Sequence, residues 1–153
     1  MPKQSAGILF YRIIADVPQV FLVHPGGPFF KNKDAGAWSI PKGEFLDDED
    51  PLMAAKREFL EETGRTVDGD FIKLNPVKLK SGKTIYAWAV EGDIDHNKIV
   101  SNVFEIEWPP RSGKKAAFPE VDQAGWFGIE EAAVKVNEAQ IGLLEELVQI
   151  LSE

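Results

Sequence analysis

An α/β sandwich is the fold class the sequence predicts, and three observations carry it. Short apolar runs rich in Val, Ile and Phe are punctuated by Pro, Gly and Asp, the pattern of strands separated by turns. One central segment, 52–63, is built mostly from strong helix formers. The tail repeats a helical period, with Ile141, Leu144, Leu147, Val148 and Leu151 on one face. Strands mixed with a central and a terminal helix bury their apolar faces as helices laid on a sheet.

In chain order, Ser5–Tyr11 and Gln19–His24 are apolar runs around an Asp-Val-Pro turn and predict a hairpin. PGGPFFKNKDAGAW is rich in Gly and Pro and reads as an irregular surface loop. Trp38-Ser39-Ile40 makes a short strand that Pro41 ends, and Lys42–Phe45 loops into the acidic run Asp47–Asp50. Asp50-Pro51 starts the central helix: Asp caps free amides, and proline's missing donor is harmless at the first helical position. Gly64 terminates it. Thr84–Val90 and Val103–Trp108 read as strands, PPRSGKKAAFPE as a basic loop, and Ala124–Phe127 as a last short strand. Helix follows, weakly over Glu130–Val136 and clearly over Ala139–Leu151. Nothing in 1–153 marks a linker or repeat, so one domain is expected.

Composition narrows the function. The chain has 153 residues, no cysteine and two histidines, which removes disulfides and thiolate metal sites and leaves oxygen ligands for any metal. Such ligands favour Mg²⁺, Mn²⁺ or Ca²⁺. A net charge of −8 argues against coating a nucleic acid backbone but not against a small phosphorylated substrate. No apolar run reaches the ~20 residues of a membrane span. The N-terminal MPKQSAGILFYRII carries only Lys3 before a short apolar run, which reads as a strand rather than a signal peptide, and a cytoplasmic protein is expected.

The chemistry concentrates in GEFLDDEDPLMAAKREFLEETGR, residues 43–65. At ~100° per residue, Leu52, Ala55, Phe59 and Thr63 share one helix face, with the stem of Lys56 among them. Glu58, Glu61 and Glu62 fall in a ~100° arc on roughly the other side. A solvated acidic face is the bland reading. Carboxylates at these spacings repel one another, however, and cost helix stability without a counter-cation. Arg57 stands four residues before Glu61 and is expected to pair with it. The run FLDDEDP lacks the turn glycine and alternating ligands of an EF-hand and is discarded as a calcium loop.

This stretch resembles the Nudix box, the signature of hydrolases acting on nucleoside diphosphates linked to another group. Gly43, Glu49, Arg57, Glu58, Glu61, Glu62 and Gly64 fill its invariant places. A chance match to those positions is roughly one in 10⁸ per starting point. Phe59 and Arg65 stand where the pattern has aliphatic residues. Trp38-Ser39-Ile40-Pro41-Lys42-Gly43 is similar to the W-x-x-P-K-G approach to the box in diadenosine tetraphosphate hydrolases and their relatives. Pro119-Glu120, Ala124–Phe127 and Glu130-Glu131-Ala132 are similar to their C-terminal segment.

The resemblance implies a Nudix-type α/β/α sandwich with a mixed β-sheet, a central catalytic helix and a C-terminal helix. It implies hydrolysis of a phosphoanhydride bond with Mg²⁺, or Mn²⁺, held by Glu58, Glu61 and Glu62 and the backbone carbonyl of Lys42. Glu58 is either a ligand or a helper in deprotonating water. Gly43, Glu49 and Arg57 would orient the ligands. Glu120 is the first choice for a further catalytic carboxylate, ahead of Glu105 and Glu107. Lys42, Lys83, Arg111, Lys114 and Lys115 are candidates for the phosphate chain. Phe29, Phe30, Tyr86, Trp88 and Phe118 are candidates for stacking on a base, with core packing as the alternative for each. Tyr86 and Trp88 share one sheet face. His24 reads as a loop residue or a pocket donor.

The implied substrate is a nucleoside polyphosphate, foremost diadenosine tetraphosphate or a nucleoside triphosphate. Nucleotide sugars and diphosphoinositol phosphates stay open, because specificity lives in loops. Lys80-Ser81, where ADP-ribose enzymes tend to carry proline, argues against that substrate. A non-catalytic nucleotide-binding module is the rival, but such a module would be expected to lose box glutamates that this chain keeps.

Overall fold

The computed structural model describes residues 3–153. Its centre is a mixed seven-stranded sheet with the path β4-β6-β1-β2-β9, on which β3 pairs with β1 and β5 with β6. β1 (Gln4–Ile14) and β6 (Thr84–Glu91) run parallel; every other pair is antiparallel. The remaining strands of the sheet are β2 (Val17–Pro25), β3 (Lys42–Glu44), β4 (Ile72–Lys73), β5 (Val77–Lys78) and β9 (Val121–Gly128). Helix α1 (Pro51–Thr63) covers one face; α2 (Ile129–Lys135) and α3 (Ile141–Leu151) cover the other. The α/β sandwich is as the sequence patterns predict, and its α/β/α layering and mixed sheet are as the family resemblance implies.

Strand alternation sorts the two cores. On β1, Ala6, Ile8 and Phe10 point to the α1 side, while Leu9 and Tyr11 point to the α3 side. Phe59 of α1 is fully buried and meets Phe10 at 5.3 Å and Phe21 at 6.2 Å between ring centroids. Such edge and tilted pairs add roughly 0.5–1.5 kcal/mol each beyond area burial. The aromatic in place of an aliphatic therefore fills a space lined by other rings. Arg65, the second departure, is exposed, and Val67 enters the core instead.

The ends of α1 are set locally. Asp50 accepts from the Met53 amide at 3.0 Å, Pro51 opens the helix, and Gly64 adopts φ 76° with its amide donating to Leu60 O at 2.8 Å. A side chain at Gly64 would be strained there and would also press on the Val100 carbonyl.

Several sequence expectations shift. The first turn falls at Ala15 and Asp16, both at positive φ, one residue ahead of Asp-Val-Pro, because that geometry follows the twist of the flanking strands. Trp38–Ile40 makes only isolated bridges, Val23 with Ser39 and Trp38 with Val136. Lys42–Glu44, expected as loop, adds a strand to β1. The basic loop shrinks to its tip. Lys115–Pro119 forms β8 and pairs with β7 (Val103–Glu107) in a separate two-stranded sheet. In the tail, a 3₁₀ turn at Glu138–Gln140 precedes α3, and Leu143 is buried whereas Val148 is exposed.

Gln140 is fully buried. Its Oε1 accepts from the Ile40 amide at 3.0 Å and its Nε2 donates to Ser39 Oγ at 2.9 Å. The tail thus fixes the segment that leads into Lys42. Gln140→Leu keeps the bulk but strands the Ile40 amide, so it should cost about 1–3 kcal/mol. Chemical denaturation reads this directly, and an unchanged midpoint would mean that the amide finds another partner.

Candidate active site

Three elements bring the carboxylates together. Helix α1 supplies Glu58, Glu61 and Glu62, strand β3 lies against that helix, and the bend between β8 and β9 supplies Glu120. The acidic face of α1 is therefore not a solvent face. The Glu58 side chain is only 12% exposed, and Glu62 reaches under β3, where its Oε1 accepts from the Lys42 amide at 3.3 Å.

Burial sets the electrostatics. It pushes Glu62 up to about 8, only partly opposed by the Lys42 ammonium. Burial, with the Glu61 carboxylate beside it, pushes Glu58 up to about 7. Burial and Glu61 also raise Glu120. Lys42, enclosed by the same walls, is held below its usual value by burial, against the pull of Glu62. The carboxylates thus face one another with too little positive charge among them. That is the condition under which a bound divalent cation stabilises a site.

Gly43 has a steric reason. A Cβ there would overlap the Glu58 carboxylate, which crosses directly over the glycine. Gly43→Ala should displace Glu58 and lower kcat/KM about ten- to hundredfold, in line with the cost of small misplacements. Gly142→Ala in helix α3, whose Cβ would make only an ordinary 3.6 Å contact with Val77, serves as the control: it should leave kcat/KM unchanged and raise the melting temperature slightly, as alanine favours the helix by about 0.4–1 kcal/mol.

Arg57 corrects one expectation. It does not reach Glu61; its guanidinium lies 3.2 Å from Glu49 and 3.2 Å from Glu58, with Glu44 O at 3.4 Å. Helical side chains lean toward the N-terminus, so Arg57 runs back to the loop before the helix. There it joins Glu49 to Glu58. Glu49 also accepts from the Leu46 amide at 3.2 Å and holds that loop in shape.

A cavity of about 100 Å³ has Lys42, Glu62 and Glu120 in its walls, with Val23, Pro25, Ser39, Ile40 and Val121. It has room for ions and waters rather than for a nucleotide. Among the described residues no group of three or more carboxylates or imidazoles is gathered closely enough to hold a metal ion by itself. Mg²⁺ does not require one, since it takes one or two carboxylates plus waters and phosphate oxygens. The oxygen-only donor set and the unneutralised carboxylates fit such an ion.

The other candidates separate into groups. Lys83 and Tyr86 stand beside β3: Lys83 is 4.0 Å from Glu44, and Tyr86 packs on Phe45 at 6.1 Å. Tyr86 and Trp88 do face the same side, that of α1, but Trp88 is buried in the core. Arg111 and Lys114 lie in the β7–β8 turn and Lys115 opens β8, so all three are at the far end of that hairpin. At ~3.3 Å per residue, Lys115 is roughly 16 Å along the strand from Glu120. Glu105 and Glu107 are exposed on β7, and Glu107 accepts from the Arg111 amide at 2.8 Å. Phe29 packs on Trp108, and Phe118 on Phe104. His24 is buried, with Nδ1 2.8 Å from Asp122 and Nε2 2.6 Å from Lys33 O, and it braces the irregular loop. Glu44, which sequence reasoning passed over, borders Lys42, Lys83 and Arg57; its place next to Gly43 was the available signal.

A sheet with this topology and a glutamate-bearing helix against β3 define the Nudix class of fold. The profile of the NUDIX domain matches residues 3–147, and the chain belongs to that family of pyrophosphohydrolases. Among solved structures it is similar to a C. elegans Ap4A hydrolase in a binary complex, at 21% identity and TM-score 0.68 over 98% of both chains. It is similar to the NUDIX domain of Shewanella oneidensis NrtR complexed with ADP ribose, at 15% identity and TM-score 0.66 over 99% of this chain and 89% of that one. A mutT/nudix family protein from Listeria innocua matches at 15% identity and TM-score 0.64 over 99% of this chain and 96% of that one. At these identities the likeness is one of fold. No curated protein matches the chain.

Proposed function

We propose that this protein is a divalent-metal-dependent hydrolase that splits a phosphoanhydride bond of a nucleoside polyphosphate, foremost a dinucleoside polyphosphate such as diadenosine tetraphosphate. The observation that carries the reading is the convergence of Glu58, Glu61, Glu62 and Glu120 beside Lys42, with burial raising three of the four carboxyls. Glu61, Glu62, Glu58 and the Lys42 carbonyl would hold Mg²⁺ or Mn²⁺. Bound there, the ion supplies charge neutralisation and Lewis acidity for the phosphate chain.

In this reading Glu120 is the general base. It takes the proton of the attacking water as a P–O bond forms and the bridging oxygen departs on the leaving phosphate. A carboxylate raised toward neutral pH suits that task better than an ordinary one. Arg57 steers Glu58, and Glu49 anchors Arg57. Lys83, Tyr86 and the Lys42 ammonium line the nearer part of the substrate path. Arg111, Lys114 and Lys115 serve only a long substrate, one that reaches the far end of the β7–β8 hairpin. The full-length similarity to the C. elegans Ap4A hydrolase supports such a substrate. The reading extends to a single domain over 1–153 in the cytoplasm; among the described residues no helix is long and apolar enough to cross a membrane.

The test is a Mg²⁺-dependent panel of diadenosine tetraphosphate, ATP, ADP-ribose, a nucleotide sugar and a diphosphoinositol phosphate, with products identified by mass spectrometry. Cleavage of diadenosine tetraphosphate into ATP and AMP is expected. Turnover confined to the nucleotide sugar would overturn the substrate assignment.

A further inference from the structure

The segment 99–102 crosses from the end of α1 to the bend that carries Glu120. Ile99 packs against the α1-side core. The Val100 amide donates to Thr63 O at 2.8 Å, and the Asn102 amide donates to Glu61 O at 2.8 Å. The Asn102 carbonyl then accepts from the Glu120 amide, again at 2.8 Å. One residue therefore links the backbone of Glu61 to the backbone of Glu120. These are main-chain groups that most sequences could offer. What this sequence adds is Ser101, whose Oγ donates to Asn102 O at 2.8 Å and accepts from the Val121 amide at 3.0 Å.

Glu120 needs such a brace because it lies between β8 and β9, outside the ladder of either sheet. Its own carbonyl accepts from the Gly26 amide at 2.9 Å. Its amide, its carbonyl and the following amide are thus all held, while the residue lines the small cavity with Lys42 and Glu62. Without the Ser101 hydroxyl, the Val121 amide loses its partner beside a buried side chain. The bend that aims Glu120 then keeps two of its three backbone ties, those to Asn102 and Gly26, and can pivot about them.

We propose that Ser101 is a positioning residue for the reaction: its hydroxyl clamps the backbone around Glu120 and so fixes that residue in the wall of the cavity it shares with Lys42 and Glu62. The inference rests on Glu120 acting as the general base. It is tested with Mg²⁺ on the panel member turned over fastest. Ser101→Ala should lower kcat about five- to fiftyfold with KM within about twofold, since a displaced base costs chemistry rather than binding. Ser101→Thr, which keeps the hydroxyl, should restore kcat to within about threefold. In the Glu120→Gln background, Ser101→Ala should cost less than about a further twofold, because the two residues act as one.

Losses that multiply in the double variant, a rise in KM alone, or no rescue by Thr would each overturn the positioning role. A Glu120→Gln protein with undiminished turnover would remove the premise instead, and so would a panel with no turnover at all. A deficient Glu120→Gln protein beside a wild-type-like Ser101→Ala protein would overturn the positioning role alone. Should Ser101→Ala fail to fold, Ser101→Cys replaces it, with the same shape and a much weaker hydrogen bond.

Discussion

Replacing Glu61 and Glu62 together by glutamine is expected to lower metal-dependent turnover by at least about a thousandfold while the protein stays folded. Lewis-acid stabilisation of a phosphoryl group is worth several kcal/mol, and each ~1.4 kcal/mol is tenfold in rate. Glutamine keeps the size of glutamate and one carbonyl oxygen, so the Lys42 amide retains the acceptor that it meets at 3.3 Å in Glu62. It removes the charge that holds a cation. The fold should survive because the sheet-facing side of α1 carries its packing, through Ala55, Phe59 and Thr63. Turnover by product analysis, with circular dichroism and a thermal melt as the check on folding, decides it. A folded double variant at wild-type rate would end the assignment of the metal site to α1.

The limits of α1 were legible because the signals are local. Asp50, Pro51 and Gly64 act on backbone groups within four residues of themselves, and all three do what their chemistry predicts. Where the chain relies on distant partners, the sequence was silent. Lys42–Glu44 contains a glycine and no β-branched residue, and it becomes a strand only because β1 offers an edge beside Ser5, Ala6 and Gly7. Lys115–Pro119 ends in proline and follows a turn-rich tip; its strand depends on β7. Periodicity put the three box glutamates in one arc, with Glu61 opposite Phe59 and Glu62 only ~60° from it, but could not show that β3 lies over them, so a solvated face and a buried site looked alike. Arg57 was matched to the wrong glutamate by spacing alone, when side-chain direction sends it back to Glu49. Gln140 carried no signal at all. A glutamine near a helix start is ordinarily a surface residue, and only the fold brings it to Ser39 and Ile40.

Without divalent cations, stability should fall as pH rises from about 5 to 8. Glu62 ionises at about 8 in the folded protein against an ordinary 4.5. Below 4.5 both folded and unfolded chains carry the proton, and its contribution is fully present. Between the two values the unfolded chain releases the proton while the folded chain keeps it, so stability declines by about 1.4 kcal/mol per pH unit. The loss ends once the folded carboxyl also ionises, and amounts to roughly 5 kcal/mol. Glu58, raised to about 7, adds to the decline with the same sign. Lys42 acts in the other direction: its lowered value makes stability rise again at higher pH, below the ordinary 10.5. A cation competes with these protons and binds only the folded site, so added Mg²⁺ should raise the melting temperature more at pH 8 than at pH 6. Glu62→Gln should flatten both the slope and the Mg²⁺ effect. Melting curves across this range, with and without Mg²⁺, test the account. A flat profile would mean that Glu62 is ionised in the folded protein without a cation, and that the cluster is neutralised from elsewhere in the protein.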